Sequence, residues 1–414
     1  MNAPLLNGQV AVIGAGTMGI GIAQVAAAAG HLVRLFDIAP AAAQRAIDDL
    51  ARRLRQRVDG GKADAAPTEA LLARLERADS LEQLADCTLV IEAVAENLAI
   101  KQSLFRDLEA ICSPTTLFVS NTSSLSITAI AGALQHPQRM AGLHFFNPAP
   151  LMKLVEIVSG LETGAETLAA LQALAQRWGK QSVVCRSTPG FIVNRVARPF
   201  YAETLRALEE RVADAATLDA VLRDAGGFAM GPLQLTDLIG QDVNYAVTES
   251  VYQAFYQDPR FTPSLVQQEL VAAGRLGRKS GRGFYRYDAP RSAAAIAFSP
   301  PAQAALPQRV TLHGDWSSLA DLAELLIENA GAIKQPGQTS PHVTIDDVTL
   351  MLTNGKTAGQ LADERGTPVV LFDLCADYAH ASAIAISCAA QNDAQHNAKT
   401  IRLLQSLEIG RAHV

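Results

Sequence analysis

The chain has 414 residues, 49% hydrophobic and 18% charged, enough for two or three domains with ordinary cores and too apolar for a disordered protein. Every long apolar stretch is broken by Arg, Asp, Gln or Gly, and Met1 to Gly8 lacks the basic and apolar blocks of a secretory signal, so neither a membrane protein nor an exported one is expected. The net charge of −6 is divided unevenly: residues 291–414 hold 8 Lys/Arg against 12 Asp/Glu, which is −4, and the rest carries −2, so no nucleic-acid partner is expected.

The five cysteines, Cys87, Cys112, Cys185, Cys375 and Cys388, are scattered and never in CxxC spacing. They suggest neither a disulfide framework nor a metal site, and the reading is a cytoplasmic protein.

The first element is a strand, Gln9–Ile13, that runs into Gly14-Ala15-Gly16-Thr17-Met18-Gly19 and an alanine-rich helix to about Ala29. A second strand, His31–Phe36, ends on Asp37. Strand, GxGxxG turn, helix, strand and acid together form the start of a dinucleotide-binding domain. Gly14 permits the tight turn, Gly16 lets backbone approach a pyrophosphate, Gly19 lets helix and strand pack, and the helix N-terminus offers N–H groups to the phosphates. Asp37, eighteen residues after Gly19, can take both ribose hydroxyls. The following Ile38-Ala39-Pro40 offers no Arg for a 2′-phosphate, which favours NAD over NADP.

A helix is expected from Pro40 to about Arg57, ending in Arg52, Arg53, Arg55 and Arg57 with Lys62 beyond. This cluster reads either as a solvated face or as a cationic surface for a phosphate-bearing substrate handle. Strands at Thr88–Val94, Leu117–Ser120 and Met140–His144, with a helix from Leu98 to Ile111, imply a mostly parallel sheet covered on both faces. After Ser187, Pro189-Gly190 punctuates, and helical periodicity dominates from Phe191 to about Gln268. Residues 289–308 are rich in Ala and Pro and read as a linker. Beyond them α/β texture returns with strands Arg309–Leu312, Val343–Leu352 and Val369–Leu374, without a second glycine fingerprint.

Three stretches carry a family resemblance: Ser120-Asn-Thr-Ser-Ser-Leu-Ser-Ile-Thr128, Gly142-Leu-His-Phe-Phe-Asn-Pro148 continuing to Met152-Lys-Leu-Val-Glu156, and Thr188-Pro-Gly-Phe-Ile-Val-Asn-Arg195. With the glycine fingerprint, Met230-Gly-Pro232 and Gly277 to Tyr285, they resemble the NAD-dependent (3S)-3-hydroxyacyl-CoA dehydrogenases over about residues 8–288. The remainder looks like that of longer bacterial members, including the phenylacetate-degradation type that acts on 3-hydroxyadipyl-CoA. The resemblance implies an α/β fold: an NAD-binding Rossmann domain (1–188), an all-α domain (189–288), the linker, and an accessory Rossmann-like region (309–407). It further implies homodimerisation through the helical domain. Residues 408–414, Glu-Ile-Gly-Arg-Ala-His-Val, match one reading frame of a common sequencing adapter, so the native part of the sequence is expected to stop near Leu407 with its true continuation lost.

The chemistry has candidates of its own. Oxidising a secondary alcohol with NAD needs a base for the hydroxyl proton, and imidazole suits it. His144 is the candidate, with Glu156 twelve residues on to hold one tautomer and stabilise the imidazolium. The resemblance makes these two a pair. It places Ser123 and Asn194 at the substrate's reacting end and Asn121 near the nicotinamide. Glu96 and Lys279 become cofactor contacts, and Lys101 a contact of cofactor and substrate. Ser124 competes with Ser123 for its role. For the CoA handle, Arg53 is the best-placed of the arginines. Rival readings are a β-hydroxyacid dehydrogenase acting on a free acid and a catalytically silent NAD-binding protein. A hydrolase built on Ser123 is disfavoured by the absence of a GxSxG turn.

Overall fold

Val10–Ile13 (β1), buried at every residue, is the centre from which the first sheet is built. The helix Thr17–Ala28 (α1) and strand Val33–Phe36 (β2) follow, then helices Ala42–Asp59 (α2) and Ala65–Leu72 (α3) and strand Leu75–Arg77 (β3). Next come Leu89–Glu92 (β4), Leu98–Ile111 (α4), Leu117–Ser120 (β5), Ile127–Ala131 (α5), Met140–Phe145 (β6), Leu154–Ser159 (β7), Ala165–Arg177 (α6) and Gln181–Arg186 (β8). These coordinates are a computed structural model describing residues 7–288, 304–335, 337 and 340–407, and the backbone of 411–413.

The strands lie in the order β3-β2-β1-β4-β5-β6-β7-β8. The direction of winding reverses between β1 and β4, the switch point at which open α/β sheets bind ligands. Strands β1 to β6 are parallel, as the alternating pattern predicts, whereas β7 returns antiparallel to β6 and carries β8 parallel to itself. The alternation of side chains along β1 feeds two cores: Val10 and Val12 join one with Leu89, Ile91 and Leu143, and Ala11 and Ile13 join the other with Val90, Phe118 and Met140. Both faces of the sheet are therefore dry, which accounts for its near-continuous apolar strands.

Contacts group the chain into two units: Met1–Arg198 with Ser250–Pro259, and Pro199–Glu249 with Arg260–Val414. The second contains helices Arg198–Glu209 (which begins one residue before the unit), Ala215–Ala220, Pro232–Ile239 and Leu265–Ala272, and two buried carboxylates, one on each of the middle two, tie those two to the segment around Tyr285. Asp219 accepts from the amides of Leu233 and Gln234 and from the Tyr285 hydroxyl, and Asp237 from the amides of Phe284 and Tyr285 and the Tyr287 hydroxyl. That explains the Gly277–Tyr285 motif, since a side chain at Gly283 would collide with Asp237.

The second sheet has strands Val310–His313 (β9), Ile333–Gln335 (β10), His342–Ile345 (β11), Val348–Leu352 (β12), Val369–Phe372 (β13), Ala383–Cys388 (β14) and Arg411–His413 (β15), in the order β10-β9-β11-β12-β13-β14-β15. The stretch 343–352, expected as one strand, is a hairpin. Asp346 takes a positive φ of 51° there, and its carboxylate accepts from the amides of Gln308 and Arg309, so the chain reverses at Asp346-Asp347. In the same unit Ala376 N donates to Ala225 O at 2.8 Å, tying the helical segment to the second α/β region. Most of the expected linker, 289–303, and residues 408–410 and 414 of the tail lie outside the described residues. No helix among the described residues is long and apolar enough to cross a membrane.

Candidate active site

The three fingerprint glycines have separate reasons. Gly14 has φ +100° and sits against the Ala93 carbonyl, and a Cβ at Gly19 would strike the Gly14 carbonyl. Gly16 is different, because a Cβ there meets nothing within 4 Å. The fold does not need glycine at that position, and what the missing side chain leaves open is space at the start of α1. Asp37, on the end of β2, faces the same turn: its Oδ2 accepts from Ala15 N at 2.7 Å and its Oδ1 from Ala39 N at 2.8 Å.

The pairing of β6 with β7 puts His144 directly opposite Glu156. Gly142 lets the two strands approach, since a Cβ there would press on the Val158 side chain. His144 Nδ1 lies 2.6 Å from Glu156 Oε2, and Glu156 Oε1 accepts from the amides of Ile192 and Val193, both at 2.9 Å. Burial pushes the Glu156 carboxyl up, but His144 and those two amides outweigh it and hold it below the usual range. An ionised carboxylate only accepts, so Nδ1 carries the hydrogen, which makes Nε2 the basic nitrogen of the neutral ring. Among the described residues Nε2 has no hydrogen-bond partner. Phe146 and Phe191 flank the ring at 4.6 and 5.6 Å between centroids. Phe191 holds a positive φ of 47° directly after Gly190 at 71°, a strained turn of the kind that persists where a site is held in shape.

Asn194 follows in the short helix Val193–Val196, and its Nδ2 donates to Ser123 O at 3.4 Å. Between the two serines the geometry discriminates: Ser124 Oγ donates to Glu96 at 3.0 Å, whereas the Ser123 hydroxyl has no partner among the described residues. Asn121 uses Oδ1 to accept from Phe145 N at 2.8 Å, joining the ends of β5 and β6. Glu96 gathers the Ser123 and Ser124 amides, at 3.1 and 3.2 Å, and the Thr122 hydroxyl, at 2.5 Å. His144, Glu156, Ser123, Asn194, Asn121 and Glu96 thus meet at one end of one sheet.

The two lysines expected at the ligands each have an acidic partner. Lys101 is only 1% exposed, and its ammonium lies 2.5 Å from Glu92 and 3.3 Å from Glu96, because Glu92 supplies a counter-charge inside the fold. Lys279 belongs to the second unit and pairs with Asp242 at 2.5 Å.

The arginine cluster separates by partner. Arg52 pairs with Asp49 at 2.6 Å and Arg55 makes two 2.8 Å bonds to Glu69. Arg53 makes no ion pair among the described residues and, with Arg45, lines a cleft of about 440 Å³ between α1, α2 and the Asn147–Pro150 loop, next to Gly16. Arg45 and Asn147 were not singled out from the sequence, although Asn147 lies within the quoted GLHFFNP stretch. Burial pushes the thiols of Cys87 to about 12 and of Cys112 and Cys185 to about 11, which leaves the site without a ready thiol nucleophile.

Residues 9–188 match the 3-hydroxyacyl-CoA dehydrogenase NAD binding domain, 190–287 that family's C-terminal domain, and 350–410 the 3-hydroxybutyryl-CoA dehydrogenase reduced Rossmann-fold domain. The 3-hydroxyadipyl-CoA dehydrogenase of Escherichia coli is 50% identical over 96% of this chain and 77% of its own length. The chain belongs to the 3-hydroxyacyl-CoA dehydrogenase family. A probable 3-hydroxybutyryl-CoA dehydrogenase of Bacillus subtilis is 41% identical over 68% of this chain and 97% of its own. The crystal structure of 3-hydroxybutyryl-CoA dehydrogenase from Escherichia coli superposes with a TM-score of 0.86 at 48% identity, covering 98% of this chain and 80% of that one.

This protein is therefore an NAD-dependent 3-hydroxyacyl-CoA dehydrogenase with an NAD-binding Rossmann domain, a helical C-terminal domain and a reduced Rossmann-fold domain. The open space at Gly16 and the carboxylate of Asp37 suit a dinucleotide's pyrophosphate and ribose. Gly16→Ala should accordingly leave thermal stability within about 1 kcal/mol while raising KM for NADH about tenfold or more, a loss of ~1.4 kcal/mol. Melting curves and initial rates check both halves.

Proposed function

We propose that this dehydrogenase interconverts (3S)-3-hydroxyadipyl-CoA-type thioesters and their 3-oxo products, with His144 as the proton-transferring group. The bare Nε2 of His144, held by the 2.6 Å contact of Nδ1 with Glu156, is the observation that carries the chemistry. In the oxidative direction Nε2 takes the C3 hydroxyl proton, and Glu156 stabilises the imidazolium that forms. NAD, when bound, accepts the hydride from C3. Ser123 Oγ and Asn194 donate to the substrate's C3 oxygen or thioester carbonyl and hold C3 in place. Phe146 and Phe191 shield the ring from water.

Arg45 and Arg53 take the phosphates of the CoA handle, and the cleft they line runs up to the glycine turn. Replacing both by Gln should raise KM for the CoA thioester about tenfold while leaving a short pantetheine analogue within twofold; each exchanged phosphate contact is a charge-assisted bond of ~1.5–3 kcal/mol before screening. Equal effects on the two substrates would remove the arginines from that role.

The dicarboxylic preference is supported by the relative that matches over nearly the whole chain, third region included. The test is kcat/KM for 3-oxoadipyl-CoA against acetoacetyl-CoA. A preference of tenfold or more for the dicarboxyl substrate is expected, and parity or the reverse order would overturn the reading.

A further inference from the structure

Glu92 and Lys101 form a fully buried ion pair, and the proton chemistry at His144 does not use either. Glu92 ends β4 at the switch point, in register with Ile13 of β1 and Ser120 of β5. Its carboxylate is completely engaged: Oε1 accepts from Val94 N at 2.7 Å and from Lys101 Nζ, and Oε2 from the Ser120 hydroxyl at 2.6 Å. Lys101 reaches on to Glu96 Oε2, and Glu96 Oε1 gathers the amides of Ser123 and Ser124. Burial pushes the Glu96 carboxyl up, but Lys101 and the Thr122 and Ser124 hydroxyls hold it below the usual range.

A buried ion pair contributes little net stability, because desolvating two charges offsets their attraction. A pair kept at this position needs another reason, and the chain of contacts supplies one. We propose that Glu92 is a positioning residue for the reaction: it fixes Lys101, Lys101 fixes Glu96, and Glu96 sets the backbone that presents Ser123. The same carboxylate reaches that loop from its other side, since the Thr122 amide donates to the Ser120 hydroxyl at 3.1 Å. The inference rests on Ser123 meeting the substrate.

The test uses the full chain in three variants. Glu92→Gln alone strands the Lys101 ammonium and should lower the melting temperature, so the informative protein is the double variant Glu92→Gln/Lys101→Met, which removes both charges and should melt close to the parent. In it kcat should fall roughly 10- to 100-fold, and the Ser123 and Ser124 amides should exchange with deuterium faster while the rest of the sheet is unchanged. If kcat and amide exchange return to parental values together with the melting temperature, the pair is only structural and the proposal falls. Ser123→Ala separates the underlying reading: parental kcat and parental acyl-CoA KM in that variant would remove Ser123 from the substrate, even where the double variant still loosens the loop.

Discussion

Replacing His144 by Gln should lower kcat by about a thousandfold, within the 10²–10⁴ range for losing a general acid–base, equivalent to ~4 kcal/mol of transition-state stabilisation. Glutamine fills similar space on β6 and can still donate to Glu156, but its far end is neither a proton acceptor at neutral pH nor a cation for the carboxylate to stabilise. Binding of NADH should stay within twofold, because the glycine turn and Asp37 lie at the ends of β1 and β2 and make no contact with the imidazole. Steady-state turnover with acetoacetyl-CoA and a fluorescence titration of NADH check the two halves. Unchanged turnover would remove His144 from the mechanism.

Glu156→Gln should be nearly as severe and should fail in a different manner. The carboxylate serves two customers at once, the imidazole through Oε2 and the amides of Ile192 and Val193 through Oε1. An amide has one acceptor and one donor end. With its oxygen toward His144, its NH₂ confronts two backbone donors at the turn that carries Asn194. Flipped, it donates to Nδ1 and forces the hydrogen onto Nε2, which then cannot act as a base. We expect kcat to fall about 10²- to 10³-fold, with KM for the acyl-CoA raised as Asn194 loses its support, and stability to drop by ~1–2 kcal/mol. The stability part depends on pH. Because the folded carboxyl is held below its unfolded value of about 4.3, its contribution is complete above that pH and disappears as pH falls through the folded value. The melting temperatures of parent and variant should therefore differ near pH 7 and converge on acidification below about pH 4. A constant gap would mean that the carboxylate's charge plays no part in the fold.

The residues that were legible in the sequence are those whose chemistry demands a residue type at a spacing. The glycine turn, Asp37 and the strands β1, β2, β4 and β5 follow from local pattern. His144 and Glu156 were legible as a pair only through the family motif, since what joins them is the antiparallel turn-back of β7, and the Asn147-Pro148-Ala149-Pro150 stretch marks a turn without giving the direction or register of the strand after it. The burial of Lys101 was not legible, because nothing nearby in sequence shows that Glu92, nine residues earlier, will be packed against it. The arginines were indistinguishable as a run. Only the fold shows that Glu69, on another helix, occupies Arg55 and leaves Arg53 to the cleft. The hairpin at Asp346-Asp347 was hidden for the opposite reason: two short apolar strands separated by two residues look like one.

The account stands on which ring nitrogen of His144 is bare, and that can be observed directly. With ¹⁵N-labelled histidine, the ring shifts of His144, assigned by their loss in His144→Gln, report the tautomer at neutral pH. The geometry predicts hydrogen on Nδ1 and an unprotonated Nε2 in the parent. A neutral His144 carrying its hydrogen on Nε2 would contradict the proposed proton transfer outright.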